Sequence, residues 1–566
     1  MKSTRWLGVT MFGVMAACGP RARGGSSGGT DAGAETDLGV MRDASPVDTG
    51  NAVDTGNAVD TGNAVDTGNA VDTGNAVDTG NAVDTGNAVD TGNAVDAGPG
   101  GCVGTVCPES TCAEAEASRS NAGCVFAPTM TPNSQLASRF PFAVMVVNPQ
   151  NRAVRVAVTG GMLPGEQAVT LAPQSTQTLA LPWVPELVQY DPNYMGCTPG
   201  GACGTPSGVA ASALRRGGAY LLRSELPVVV TQFNPLQAQA PTGHRSFTSD
   251  ASLLLPEHAW GTRYMVLTWP NWQPSPSFAT GGFFSVVASR PGMTSVTVRP
   301  TTAIVASRGV SAIAANATAT YQLGQGDVLQ IVSAGAGDLS GSTVEASQPV
   351  AVFAGHDCTQ VPNMVPACDH LEEQLPPVSA WGREFVFGPF RERSPNNAYV
   401  RVLASEATTL RVVRSDATQE ISLSAGQTHN LQTGAVQRLV ASRPVLVAAY
   451  MSGPGSDSMA PGDPSMVLIA PLEQGRGAYN FVVPETYDTN YLSVTLPMGA
   501  DLVVDGQSSS AARESSGSVS VLAAPIAPGL HRIQTRNGEG FGAVLYGVAQ
   551  YTSYAFPVGM GLRALP

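Results

Sequence analysis

Lysine is almost missing from this 566-residue chain: Lys2 is the only one, so a mature protein without its first residues has none. That excludes P-loop nucleotide binding, pyridoxal Schiff bases and Ser-x-x-Lys hydrolases, each of which needs an amine. Charge is scarce as well, at 13% of residues, and the balance of −13 argues against nucleic-acid binding. No run of 18 apolar residues is present to cross a bilayer as a helix. Convincing amphipathic helical patterns are lacking too. What the chain has instead is 63 glycines and 42 prolines, hence many turns, which points to β-structure and linkers.

The N-terminus reads as an address. Lys2 and Arg5 precede an apolar run from Trp6 to Ala17, which ends Met15-Ala16-Ala17-Cys18. Small residues directly before a cysteine resemble a bacterial lipoprotein signal, with Cys18 as the lipidated first residue of the mature chain. An ordinary secretory signal is the alternative. Gly19 after the cysteine, rather than Asp, by the same resemblance favours the outer membrane, with the head in the periplasm or exposed at the cell surface.

Residues 19–101 form a tether. From Val47 the hexapeptide Val-Asp-Thr-Gly-Asn-Ala recurs, placing an Asp every six residues from Asp48 to Asp96. The first 100 residues carry a net charge of −8, leaving only −5 for the rest. A left-handed β-helix shares the six-residue period, but one Val in six offers little to bury against an ordering cost of about 1–2 kcal/mol per residue. The expectation is a flexible, self-repelling linker with a reach of about 50 Å.

Nine cysteines minus Cys18 leave eight, in local clusters: Cys102, Cys107, Cys112 and Cys124; Cys197 and Cys203; Cys358 and Cys368. Outside the cytoplasm an even count reads as disulfides. If each cluster closes on itself, the pairs are 197–203 and 358–368, and the first four allow three connectivities. Zinc is the rival for the first cluster, whose spacings fit zinc ribbons poorly.

The remainder is an internal repeat. Leu226-Pro227-Val228-Val229-Val230 resembles Gln348-Pro349-Val350-Ala351-Val352 and Arg443-Pro444-Val445-Leu446-Val447, with Gly542-Ala543-Val544-Leu545-Tyr546 a weaker fourth copy. Leu-Pro elements follow the first two, then Trp260-Gly261 and Trp381-Gly382; Ile469-Ala470-Pro471 and Gly475-Arg476-Gly477 form a third version. Val154, Val156 and Val158 alternate with Arg155, Ala157 and Thr159, the period of a strand. Tyr321 to Asp327 and Ile421 to Gln427 echo one another as hairpin-like elements. The prolines are expected to open strands, where they remove no ladder bond. The expected fold is all-β: about four tandem β-sandwich-like modules, each too long for a four-stranded propeller blade. The boundaries read from the repeats are a small Cys-rich segment at 102–126 and modules at 127–250, 251–370, 371–465 and 466–566.

The stretch Gly355-His356-Asp357-Cys358 to Cys368-Asp369-His370-Leu371-Glu372-Glu373, then Leu375-Pro376-Pro377 and Trp381-Gly382, resembles the N-terminal domain family of IgGFc-binding proteins. The likeness covers roughly 130–560. That family also occurs alone in bacterial lipoproteins, notably of myxobacteria. The cysteine-rich von Willebrand-type repeats of the animal protein have no counterpart among eight cysteines. The resemblance implies binding, with no binding residue assignable from the motif.

Two groups of residues are candidates for binding. His356-Asp357-Cys358 faces Cys368-Asp369-His370 as a near-palindrome. His356 and His370 read as part of a disulfide-closed loop whose His and Asp satisfy backbone groups, with a metal site as the rival. Glu372 and Glu373, adjacent on a strand, should face opposite ways. Trp269-Pro270-Asn271-Trp272 is an insertion whose Trp269 and Trp272 could stack on sugars or a protein, or pack inside. Trp260 and Trp381 recur at module starts and read as core. No catalytic residue, cofactor or metal is expected. The only Gly-x-Ser-x-Gly match, Gly25 to Gly29, lies in the tether without strand or helix context. The reading is a lipid-anchored binding or adhesion head for a protein or glycan. A structural envelope protein without a specific ligand is the first alternative, and an exported hydrolase the second.

Overall fold

The computed structural model describes residues 108–196, 208–275, 278–391, 398–414, 417–454 and 461–566, together with four dipeptides of the tether. Cys18, Cys102, Cys107, Cys197 and Cys203 fall outside the described residues, as does most of the tether. Within the tether Val53–Asp54 pairs in parallel with Val71–Asp72, and Val59–Asp60 with Val77–Asp78. The offset of 18 residues is three hexapeptides, the register of one β-helix coil. At these eight residues the backbone is extended and paired, which the argument from one valine in six did not anticipate.

Residues 98–566 form one compact unit, all-β apart from two short helices, Cys112–Ser118 and Pro185–Val188, and three single 3-10 turns among the described residues. It contains four modules on one plan. Each begins with a first strand: Gly123–Phe126, Gly261–Met265, Gly382–Phe387 and Ala478–Val483. Each ends with a closing strand: Ala251–Leu253, Asp369–Gln374, Ser465–Leu468 and Thr552–Gly559. Between them runs a long spine strand, Tyr220–Phe233, Thr343–Thr359 or Gln437–Met451. In the fourth module the spine is broken into Gly529–Thr535 and Gly542–Ala549.

The N-terminal half of each spine pairs with the first strand and the C-terminal half with the closing strand. Pro227, Pro349 and Pro444 lie inside the spines, where the register slips, between Arg223 and Val228 in the first module for example. The expectation that they open strands is therefore corrected. A residue without an N–H is tolerated at a bulge, and the bulge bends the spine from one half-sheet into the other.

The hairpin-like elements are also corrected. Ala319–Leu323 pairs with Thr294–Arg299, while Val328–Val332 pairs with Gly282–Val287, so the turn between them is an arch joining different half-sheets. Thr418–Leu423 and Thr428–Thr433 repeat this arch. Gly326 (φ 79°) and Gly426 (φ 75°) supply the left-handed residue that both turns require.

These pairings place the module boundaries differently from the repeat-based ones. Gly123–Phe126 is the first strand of module 1, not part of a separate Cys-rich segment; the closing strand of module 1 begins at Ala251, just past the expected 250/251 boundary, and those of modules 2 and 3 straddle 370/371 and 465/466. The modules are 123–253, 261–374, 382–468 and 478–559.

The four closing strands touch in a cycle, first to second to third to fourth and back to first. Module length does not prevent a ring, because the bent spine puts only its C-terminal half beside the axis and carries the remaining strands outward. Cores form between neighbouring modules. Trp381, Leu375, Leu446 and Tyr450 share one across modules 2 and 3. Phe387, Val447, Tyr491 and Tyr546 share one across modules 3 and 4. Phe233 of module 1 packs edge-on against Tyr554 and Phe556 of module 4, at 5.6 and 6.0 Å between ring centres. The ring is thus closed by apolar contact between the first and last modules. Trp260 and Trp381 are buried as expected, each indole N–H donating to the carbonyl five residues before it (Leu255 and Pro376).

Candidate functional site

The His356–His370 loop lies beside the axis. Cys358 and Cys368 are bonded, with Cα atoms 5.3 Å apart, and Cys112 and Cys124 form a second bridge. The latter selects one partner from the three connectivities of the first cluster. It also ties helix Cys112–Ser118, capped by the Thr111 hydroxyl, to the first strand of module 1.

His356, Asp357, Asp369 and His370 of the loop are buried, as are the polar side chains of Thr131, Ser134, Gln232, Glu372 and Glu373 around them. His370 stacks on Phe283, and its Nε2 lies 3.0 Å from Thr131 Oγ1. The Thr131 hydroxyl donates to Glu372 Oε2 at 2.6 Å, and Gln232 Nε2 donates to Glu372 Oε1 at 3.2 Å. Asp357 accepts from the Ser134 N–H and hydroxyl at 2.6 and 2.7 Å. Glu373 points the other way and accepts from the Leu468 N–H of module 3 at 3.1 Å. The expectation that Glu372 and Glu373 face apart holds: one serves module 1, the other module 3.

Asp250 sits where all four modules meet. Its carboxylate accepts from the N–H groups of Ala251, Glu372, Met466 and Ala555, at 3.0, 3.2, 2.9 and 3.3 Å. Each donor belongs to a different closing strand. Asp369, beside Asp463, accepts from the Ser249 N–H at 2.8 Å. Burial raises the pKa of Asp250, Asp369 and Glu373 well above the ordinary carboxylate value, against the pull of the N–H donors. Burial, helped by the neighbouring His370, lowers the pKa of His356 to about 3. Among the described residues no three His, Cys, Asp or Glu side chains are arranged to share a metal ion. The chemistry available here is structural: acceptors inside the ring for N–H groups that would otherwise be buried without partners.

Placement decides the other candidates. His356 and His370 are out of reach of any external ligand. Trp269 is buried rather than exposed: its ring lies 4.7 Å from that of Tyr450 and 6.2 Å from that of Tyr399, with the Arg401 guanidinium 5.6 Å above it. It is a contact between modules 2 and 3, because the chain after Gly261–Met265 stays inside the seam. Trp272 is half-buried at the start of strand Trp272–Ser275.

A group of residues that sequence reasoning passed over lines an open cavity of about 260 Å³ at the seam between modules 4 and 1. Glu109, Ser118, Ser120 and Asn121 form the module 1 side, and Arg476, Asn480, Arg532 and Arg563 the other. Arg476 pairs with Glu109. Arg532 donates to Gln534 and Arg563 to the Glu473 carbonyl.

The IgGFc binding protein family matches residues 250–547, from the hub aspartate through most of module 4. The human IgGFc-binding protein is 33% identical over 234 residues, which is 41% of this chain and 4% of the human protein. The chain therefore corresponds to a small part of that relative, and the family match leaves most of module 1 outside it. With more than half of its length matched, the chain belongs to the IgGFc-binding protein family.

Proposed function

We propose that this chain is a non-enzymatic binding protein: a head of four β-modules, carried on a tether and anchored to the outer membrane through lipidated Cys18. Family membership carries the binding reading, since the matched relative is named for binding the Fc part of immunoglobulin G. The burial of the hub supports it. The densest group of titratable side chains is committed to joining modules, which leaves the exterior of the ring for recognition. The ligand class is a protein or glycan outside the cytoplasm.

Two measurements test this. The mature chain, immobilised, is exposed to human Fc fragment and to a glycan array; saturable binding to a member of either set is expected. Loss of all such binding, with the chain held in the envelope fraction, would favour a structural protein instead. Separately, Cys18→Ser should release the protein from membranes with the head still folded, because among the described residues no helix is long and apolar enough to span a bilayer. A mutant that stays in the pellet after a high-salt wash refutes the lipid anchor.

A further inference from the structure

The four seams of the ring are not alike. The β-pairing aligns Phe126, Tyr264, Phe385 and Tyr479, which oppose Leu222, Val344, Leu439 and Ile533 on their spines. Three residues earlier stand Gly123, Gly261, Gly382 and Arg476. The Tyr hydroxyls agree with this alignment, since Tyr264 accepts from the Gly261 N–H and Tyr479 from the Arg476 N–H, both at 2.9 Å.

At three seams the glycine is pressed against a proline of the next module. A Cβ at Gly123, Gly261 or Gly382 would lie 2.3, 2.5 or 2.2 Å from the Cβ of Pro256, Pro377 or Pro471. Those contacts leave no room for a ligand. At the fourth seam the aligned residue is Arg476, and it faces Ser118, Ser120 and Asn121, which precede Gly123 as the proline turns precede the other glycines. The cavity of about 260 Å³ opens here. One position of the repeat has changed from packing to charge and space.

The lining has a definite chemistry. Among its described residues three arginines face one carboxylate, Glu109, in a chain whose net charge is −13. Asn121 is only 4% exposed and lines the cavity, and its side-chain amide makes no hydrogen bond among the described residues. Asn480 adds a second amide. Burial lowers the pKa of Arg532, a sign that its charge is partly desolvated. Guanidinium groups suit carboxylates, and amides suit hydroxyls. The volume falls below the range of about 300–1,000 Å³ typical of drug-sized ligands, so it fits one small group.

We infer that the seam between modules 4 and 1 is a binding site for an acidic monosaccharide unit, its carboxylate directed to Arg563 and Arg476 and its hydroxyls to Asn121 and Asn480. This rests on the binding reading above and gives it a ligand class, a glycan bearing uronic or sialic acid.

The test is titration calorimetry on the mature full chain with glucuronate and N-acetylneuraminate, with glucose, inorganic sulfate and oligoglutamate as comparison probes. At least one sugar acid should bind, glucose should not, and Arg563→Ala and Asn121→Ala should each weaken binding at least tenfold. Because Arg563 is exposed, Arg563→Ala should keep the wild-type melting midpoint, which separates lost binding from lost folding. Four results overturn the site: no sugar acid bound, variants without effect, sulfate bound as tightly as the sugar acids, or oligoglutamate bound more tightly than either. If no sugar acid binds while Fc fragment or an array glycan still does, the site fails while the general binding reading stands.

Discussion

The hub and the open seam are built from the same repeat and come out as opposites. At the axis four closing strands converge, and acidic side chains are buried to receive N–H groups that the ring would otherwise strand. At the seam between the last and first modules an arginine replaces a packing glycine, and polar groups line an open space. A cyclic repeat needs its centre filled in every copy, whereas the contact that closes the ring can differ from the others once the apolar Phe233–Tyr554–Phe556 cluster holds the ends together. Change should therefore be costly at the hub and nearly free of stability effects at the seam.

Asp250→Ala should break the comparison at its most sensitive point. It would leave four buried N–H groups, one per module, without their acceptor. At about 1–3 kcal/mol for each unsatisfied group, the loss is about 4 kcal/mol or more. Urea unfolding should show this directly, with Asp250→Asn intermediate because it keeps one acceptor oxygen. A loss below about 1 kcal/mol for Asp250→Ala would mean that the hub does not hold the ring.

Replacing Cys358 and Cys368 together by Ser should cost less, about 2–3 kcal/mol for a loop of about ten residues on chain-entropy grounds. The bridge holds the spine and closing strand of module 2 beside Asp357 and Asp369, so proteolysis of this loop should quicken while the other seams stay protected. Non-reduced peptide mapping should recover 112–124 and 358–368 linked pairs from the wild type. Two free thiols at 358 and 368 would contradict the structure.

Much of this was legible in the sequence. The three Pro-Val copies, the Trp-Gly starts and the 358–368 pair all announce themselves locally, and so does the opposite facing of Glu372 and Glu373. The missing parts are those that depend on closure. Asp250 carries no motif, and its role exists only when residues 251, 372, 466 and 555 converge. Gly123 is a copy of Gly261 and Gly382, but it is hidden beside Cys124 and reads as part of a cysteine cluster. Trp269, flanked by proline in an apparent insertion, stays open between a ligand platform and packing until Tyr450 and Tyr399 of the next module cover it. Arg476 could have been found by aligning the residue three before each Tyr or Phe of the first strands, where it alone is not glycine.

The dependence on pH sharpens the comparison further. Carboxyl groups whose folded pKa is raised bind protons more tightly in the folded chain, so they make stability fall as pH rises above the unfolded value near about 4. His356, lowered to about 3 by burial and the nearby His370, works the other way: its contribution is complete above about 6.5 and is lost as pH falls toward 3. Above pH about 6.5 the carboxyl slope is no longer opposed by His356. His531 adds to it, because its hydrogen bonds to Asp505 and the Ala527 carbonyl outweigh burial and raise its pKa. Subtracting the Glu373→Gln curve from the wild-type curve isolates one hub group. Gln keeps an acceptor for the Leu468 N–H but cannot ionise, so the variant should lose less stability than the wild type as pH rises above about 4. The most one such group can contribute is about 1.4 kcal/mol per pH unit. Parallel curves would show that Glu373 does not titrate in this range.

The smallest effect is expected at the open seam. Arg563 is exposed and its described hydrogen bond is to a backbone carbonyl, that of Glu473, so Arg563→Ala removes neither a buried partner nor core volume. Surface changes of this kind usually stay within about 0.5 kcal/mol. Arg476→Gly makes a sharper version, because it restores at the fourth seam the residue present at the other three. It loses the ion pair with Glu109, which is partly exposed and therefore worth about 0–1 kcal/mol, and gains no proline to pack against. A small destabilisation by Arg476→Gly, measured in urea, together with lost binding of the sugar acid, would separate the two regions as argued. A loss approaching that of Asp250→Ala would show instead that the fourth seam carries as much of the ring's stability as its centre.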